Sequence, residues 1–301
     1  MNPYKGNLKV LVIEPPMQLP EFDKAKPNGS LGPAYIVGAL RKHGVEVDYI
    51  DATVGPAGTD LKTTFFKRIK MKNGNVRYGM NNDELKEIFH KYDIVATSSI
   101  FTLQTRMHFE IAKLVKLVSK NSNKKILTVC GGVNARALRE HFLSNGFDIV
   151  ALADGERTII QIVEEVGSSK PDFSKVERIA FRENGKTIIT QAPYRKPTKF
   201  IDDVPYAAID AFPLDVYQNL GDQHAGISIS HLPGRKFSGI QTSRGCQDKC
   251  TFCHISLEKK ETDLVGNMGF LRMFSKERMS EDVTRAVNLG VKRLYFEDDN
   301  L

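Results

Sequence analysis

In the first half of the chain, short stretches rich in apolar residues alternate with stretches of helical period. Residues 8–13 form the first run. Residues 31–43 follow, with Ile36, Val37 and Leu40 at helical spacing, Pro33 near the start and Gly44 at the stop, which predicts a strand followed by a helix. The alternation continues with strands at 45–50, 93–100, 125–129 and 148–153. Between and after them come helices at 83–92, 107–119, 135–144 and 157–166. In the second of these, Ile111, Leu114, Val115 and Val118 share one face. Five apolar strands alternating with helices predict an α/β unit over residues 1–166 with a doubly wound, mostly parallel sheet.

The pattern changes after residue 166. Residues 176–181 and 187–190, joined through Glu183-Asn184-Gly185, predict a hairpin. The stretch 193–217 carries Pro193, Pro197, Pro205 and Pro213 without a clear period and predicts an extended connector, so 167–225 separates two units. A second βα pattern occupies 226–301, with a strand at 237–242, a long cysteine-bearing loop, a helix at 280–288 and a strand at 291–296. Ser280 is the expected N-cap, Glu281 and Asp282 the first turn, and Gly290 the stop.

With 41% hydrophobic and 26% charged residues among 301, the chain has the composition of a globular protein with room for two domains. No run of eighteen apolar residues occurs, and Met1-Asn2-Pro3-Tyr4-Lys5 lacks a signal-peptide apolar region, which predicts a cytoplasmic protein without a membrane span. The net charge of +7 is spread among 36 acidic residues, which argues against a nucleic-acid partner. The densest basic stretch, Lys67, Arg68, Lys70, Lys72 and Arg77 around Asn73-Gly74, reads as a solvated hairpin. Three of the four cysteines lie within eight residues, a spacing suited to a metal site in a reducing compartment rather than to disulfides. Cys130 stands apart and reads as a small buried hydrophobe.

Cys246, Cys250 and Cys253 form a C-x3-C-x2-C motif. Three thiolates holding a four-iron cluster leave one iron open to a ligand. The alternative is zinc with His254 as fourth ligand, but His254 adjoins Cys253, which makes a shared tetrahedron awkward. The run Thr242-Ser243-Arg244-Gly245-Cys246-Gln247-Asp248-Lys249-Cys250-Thr251-Phe252-Cys253 resembles the radical S-adenosylmethionine superfamily. The resemblance implies a 4Fe-4S cluster whose open iron takes the amino and carboxylate groups of S-adenosylmethionine. An electron from a reductant such as flavodoxin or ferredoxin would cleave that cofactor to a 5′-deoxyadenosyl radical, which would take hydrogen from a small-molecule substrate. It also implies that Phe252 packs near the adenosine, and that Glu297 and Asp298, followed by Asp299 at the end of the second strand, meet the cofactor's amino or ribose groups.

The first unit resembles the cobalamin-binding domain that precedes the radical domain in one subgroup of that superfamily. The matching features are Val10-Leu11-Val12-Ile13-Glu14-Pro15-Pro16, Leu31-Gly32-Pro33-Ala34-Tyr35, Cys130-Gly131-Gly132-Val133-Asn134 and Ala153-Asp154-Gly155-Glu156. The resemblance implies a Rossmann-like domain, followed by the start of a radical (β/α) partial TIM barrel that ends here after its second strand. Gly131, Gly132, Gly155 and Glu156 become candidate cobalamin contacts, since such turns fall where doubly wound sheets bind ligands. No Asp-x-His-x-x-Gly signature occurs, because no histidine lies between Glu14 and Gly32. Cobalamin would therefore bind without a protein imidazole.

The implied activity is that of a transferase moving a methyl group to an unactivated carbon, with radical cyclisation or rearrangement as the alternative. A methylthiotransferase acting on tRNA would need three cysteines in its first domain, where only Cys130 is present. A non-catalytic cobalamin or iron–sulfur module is the remaining reading. No residue is assigned a catalytic role. A full barrel takes about 250 residues, so the chain is expected to be the N-terminal piece of a longer protein.

Overall fold

The structure, a computed structural model, describes residues 8–23, 25–193, 196, 198, 200–220 and 235–300. Met1 to Lys5, Pro197, residues 226–234 and Leu301, which figure in the sequence reading, lie outside the described residues.

The five apolar runs form β1 (Lys9–Glu14), β3 (Glu46–Asp51), β6 (Ile94–Ser98), β7 (Leu127–Gly131) and β8 (Ile149–Ala151). All are parallel, and with the antiparallel hairpin β9 (Ile179–Glu183) and β10 (Lys186–Ile189) they make a seven-stranded sheet of order β10-β9-β8-β7-β6-β1-β3. The hairpin read as part of the connector therefore extends the first sheet. Side chains alternate across each strand. On one side Val10, Val12, Ile94 and Val129 pack against α1 (Leu31–Lys42) and α6 (Gly155–Gly167) through Val37, Leu40, Ile159 and Ile162. On the other, Leu11, Ile13 and Val95 pack against α2 (Asn82–Phe89) and α3 (Thr105–Ser122) through Leu85, Phe89, Ile111 and Val115. This is the doubly wound arrangement that the runs predict.

Three local differences have physical causes. The helix expected at 135–144 is two, α4 (Val133–Ala137) and α5 (Arg139–Ser144), broken at Leu138. Asn134 fixes the first by donating to the hydroxyls of Ser99 and Thr105, both at 2.8 Å, while Phe142 on the second is drawn into the core beside Phe109 and Phe147. The basic hairpin is β4 (Ile69–Lys70) and β5 (Asn75–Tyr78), joined on its other side by β2 (Met17–Pro20). Lys67, Arg68, Lys70 and Lys72 are exposed as expected, but Arg77 is buried and paired with Glu110 at 2.9 Å. The connector also holds a helix, α7 (Leu214–Leu220), because Tyr217 finds a buried place against Phe237.

The second unit opens with β11 (Phe237–Ile240), paired in parallel with β14 (Arg293–Phe296) through α10 (Lys276–Asn288). That helix starts one turn before Ser280: Ser275 is the N-cap, accepting from the Arg278 N–H at 3.1 Å. Between β11 and α10 lie the ribbon of β12 (Ser243–Arg244) and β13 (Arg272–Met273), and the short helices α8 (His254–Glu258) and α9 (Thr262–Val265). The two units share one apolar cluster, in which Leu31, Ala34 and Tyr35 of α1 meet Phe212, Tyr217, Phe237, Phe274 and Ala286.

Acids lie beside this cluster. Glu14 and Asp51 end neighbouring strands in register, and Tyr217 donates to Asp51 at 2.8 Å. Burial pushes the Glu14 carboxyl up to about 8, with Asp51 and Glu297 adding to the effect and a hydrogen bond from Ser30 opposing it. Its Oε1 has no hydrogen-bond partner among the described residues. A carboxyl raised in the folded state binds a proton that the unfolded chain has released. Its contribution to stability is complete below the ordinary value of 4.5 and is lost as pH rises through about 8. Glu14→Gln, which stays neutral, should keep stability that the native chain loses over that window, at most about 5 kcal/mol. Melting temperatures measured from pH 5 to 9 should converge at the acid end and diverge at the alkaline end; parallel curves would contradict this.

Candidate functional site

Strand β1 leads to β3 on one side of the sheet and, through the later strands, to β6 on the other, so the chain reverses direction between β1 and β6. Doubly wound sheets bind ligands at the carboxyl ends of strands beside such a reversal. A cleft of about 390 Å³ lies here, floored by the ends of β6, β7 and β8 and by the starts of α1 and α6. Gly131, Gly132, Gly155 and Glu156 all line it, as the turn pattern predicts. At Gly132 the backbone has φ +90°, and a Cβ would stand 2.3 Å from the Ser99 carbonyl oxygen, so only glycine fits this turn. Gly131 differs: a Cβ there would meet only Ala151, at 3.7 Å, and further atoms would enter the cleft. Cys130, behind the floor, is fully buried and its thiol is pushed up to about 12 by burial, which leaves it inert.

The opposite wall belongs to the second unit and includes Gln241, Arg244, Gly245, His254 and Glu297. Cys246, Cys250 and Cys253 follow directly on the loop between β12 and α8. All three are unpaired thiols, Cys250 exposed and the others partly buried. Among the described residues no three His, Cys, Asp or Glu side chains converge as they would on a single metal ion. His254 pairs with Glu258, Nδ1 to Oε1 at 3.1 Å. A multi-iron cluster makes a different demand, since each thiolate takes its own iron and the sulfurs need not meet at a point. Three thiols on one open loop suit that donor set.

The acids after β14 separate in role. The carboxylate of Asp298 accepts from the Thr242 N–H and hydroxyl, both at 2.9 Å, from the Ser243 hydroxyl at 2.8 Å and from the Ser243 N–H. Asp299 accepts from the Gly245 N–H at 2.7 Å. Asp298 is therefore engaged in holding the start of the cysteine loop and does not line the cleft. Glu297 does line it, and burial raises its carboxyl to about 7 against a hydrogen bond from Tyr295. Phe252 is 92% exposed and packs against neither wall.

Sequence reading missed the charges that join the two walls. Arg244 lies with its guanidinium 4.4 Å from the centre of the Tyr35 ring and donates to Glu156 at 2.6 Å. Its strand partner Arg272 donates to Asp154 at 2.5 Å. Arg136 of α4 donates to Glu258 of α8, and both are buried. Burial disfavours the charged form of Arg244, but Glu156 and Asp154 outweigh it and push its pKa up. Burial likewise works against ionised Asp154, and Arg272 and Arg244 together hold its carboxyl below the usual range. The turn at 154–156 was legible as a turn; the signal overlooked was that its two acids had two arginines, 244 and 272, to meet.

Residues 28–163 match the family model of the B12 binding domain. The cytidylyl-2-hydroxyethylphosphonate methyltransferase of Streptomyces wedmorensis is 24% identical over 97% of this chain and 55% of its own length. The chain thus spans about half the length of that curated relative. Among solved structures, the cobalamin-dependent S-adenosylmethionine radical enzyme OxsB, with aqua-cobalamin and S-adenosylmethionine bound, superposes on 98% of this chain and 34% of its own, with a TM-score of 0.64 and 20% identity. The radical S-adenosylmethionine methyltransferase TsrM of Kitasatospora setae, with tryptophan and a cofactor analogue, gives a TM-score of 0.60 at 14% identity over 98% of this chain and 48% of its own. This chain carries a B12-binding domain and has the fold of the cobalamin-dependent S-adenosylmethionine radical enzymes.

Proposed function

We propose that the chain forms the cobalamin- and cluster-holding part of a radical S-adenosylmethionine methyltransferase that transfers a methyl group to an unactivated carbon of a small molecule. One observation carries the reading: a single cleft has the B12-binding domain as its floor and the C-x3-C-x2-C loop beside its opposite wall. When bound, the cofactors would supply a methyl carrier and, on one-electron reduction by an external donor, the radical that activates the substrate.

The chain's own residues provide binding and placement. Cys246, Cys250 and Cys253 would hold the 4Fe-4S cluster, with S-adenosylmethionine at its remaining iron. Gly131 keeps the floor low enough for a bulky cofactor to lie on backbone, and Gly132 makes the turn that places it there. No described histidine lines the floor, and none lies between Glu14 and Gly32 in the sequence, so cobalamin would rest there without an imidazole ligand from that side. Glu297, titrating near neutrality, can hold or release a proton at its carboxylate inside the cleft. Asp298 and Asp299 orient the cysteine loop from below.

Anaerobic reconstitution of the 301-residue chain should give about four irons and four sulfides per chain, with loss on Cys246→Ala, Cys250→Ala or Cys253→Ala and retention on Cys130→Ala. Stoichiometric zinc without iron uptake would overturn the assignment. The same chain should retain hydroxocobalamin through dialysis, with the spectrum of a form lacking nitrogen ligation from its own base or from protein. Gly131→Leu, whose side chain fills the cleft, should weaken retention at least about tenfold while leaving the melting temperature within a few degrees. Unchanged retention would place the corrin elsewhere.

A further inference from the structure

The start of the cysteine loop is also anchored, by charge, to the B12-binding domain. Arg244 stands two residues before Cys246 and is 9% exposed. Its guanidinium covers Tyr35 and donates to Glu156 and, at 3.1 Å, to Gln241. Its strand partner Arg272 reaches the neighbouring Asp154 and returns to the Met268 carbonyl at 3.3 Å. Tyr35, Asp154 and Glu156 all belong to the cleft wall of the first unit. Both strands of the β12–β13 ribbon are therefore tied to one turn of the B12-binding domain.

The tie is stiff on its way to the first cysteine. Gly245 holds φ +75°, a Cβ there would stand 2.3 Å from the Phe270 carbonyl oxygen, and its N–H is fixed by Asp299. Cys246 in turn donates its N–H to the Gly269 carbonyl at 3.4 Å. Backbone held this closely on two sides gives little room for Arg244 to shift without carrying Cys246 with it.

We propose that Arg244 is a positioning residue that couples the cobalamin cleft to the cysteine loop, so that filling the cleft orders the loop and an ordered loop tightens the cleft. The coupling rests on the cobalamin reading above. A ligand over the 154–156 turn would cover Asp154, whose side chain is 34% exposed, so that undocking Arg272 and Arg244 would leave the Asp154 and Glu156 carboxylates without either water or a partner, which favours the docked loop. Linkage makes the effect reciprocal: whatever factor cobalamin gives the loop, the docked loop gives cobalamin.

Hydrogen exchange read by mass spectrometry tests this on the full chain without cluster or turnover, using hydroxocobalamin as the probe. In the native chain, peptides covering 241–253 should exchange at least about threefold more slowly once hydroxocobalamin is bound. Arg244→Met should still bind it, about fivefold or more weakly, and show no such slowing. Arg244→Lys, which keeps the charge but loses the planar fork, should fall between the two. Glu156→Gln, nearly isosteric, removes the same ion pair and reports independently if Arg244→Met fails to fold. Equal slowing in native, Arg244→Met and Glu156→Gln chains overturns the coupling, as does a native loop that ignores bound hydroxocobalamin. Failure of the native chain to bind hydroxocobalamin at all overturns the functional reading itself, and the coupling with it.

Discussion

Two arginines from the cysteine-bearing ribbon, Arg244 and Arg272, insert between α1 and the 154–156 turn and meet Glu156 and Asp154 there. This contact joins the two walls of the cleft. Charges in such an environment are costly to desolvate, so the pairs contribute little net stability while both partners are present. Removing one partner of a buried pair costs about 3–5 kcal/mol, because it strands the other. The contact therefore acts through specificity of docking. An apolar interface such as the one between α1 and Phe212, Phe237 and Phe274 tolerates sliding, whereas a planar guanidinium stacked on Tyr35 and aimed at one carboxylate accepts a single register.

The parallel sheet supplies what the clamp grips. Because β6, β7 and β8 all run the same way, their following turns gather at one edge, and the reversal between β1 and β6 opens that edge into a cleft. The turn at Gly131-Gly132 forms the floor, and the turn at 154–156 does two jobs: Gly155 lines the cleft while Asp154 and Glu156 hold the second unit. On the far side, Asp298 and Asp299 at the end of β14 gather the backbone of 242–245, so the loop that carries the thiols is held from the first unit by charge and from its own second strand by carboxylates. Among the described residues, no helix is long and apolar enough to cross a membrane.

The sheet was legible because its inner parallel strands are covered on both faces, which leaves an apolar run such as Val10 to Ile13, while edge strand β3 alternates apolar and acidic residues. The glycine turns and the cysteine spacing were legible for the same kind of reason, since each expresses a local constraint within a few residues. What escaped was set at long range. Arg244 and Glu156 are 88 residues apart and Arg136 and Glu258 are 122 apart, and no period in the chain links them. The second role of Asp298 escaped too: its Oδ1 takes four donors from 242–243 that only the folded loop brings near, while its Oδ2 is buried without a hydrogen-bond partner among the described residues. The start of α10 was misplaced for a smaller reason: its first turn, capped by Ser275, carries Lys276, Glu277 and Arg278, and Met279 is the one apolar residue of the helix before Val283.

The proposed function requires that cobalamin and the iron–sulfur cluster face each other across the cleft between the B12-binding domain and the cysteine loop. Electron paramagnetic resonance of the reconstituted chain, with cobalamin as cob(II)alamin and the cluster reduced to its paramagnetic state, tests this directly. The two centres should broaden or split each other's signals through magnetic interaction, and that interaction should vanish when either centre is left out. A spectrum that is the simple sum of two isolated centres, each fully occupied, would contradict the shared cleft.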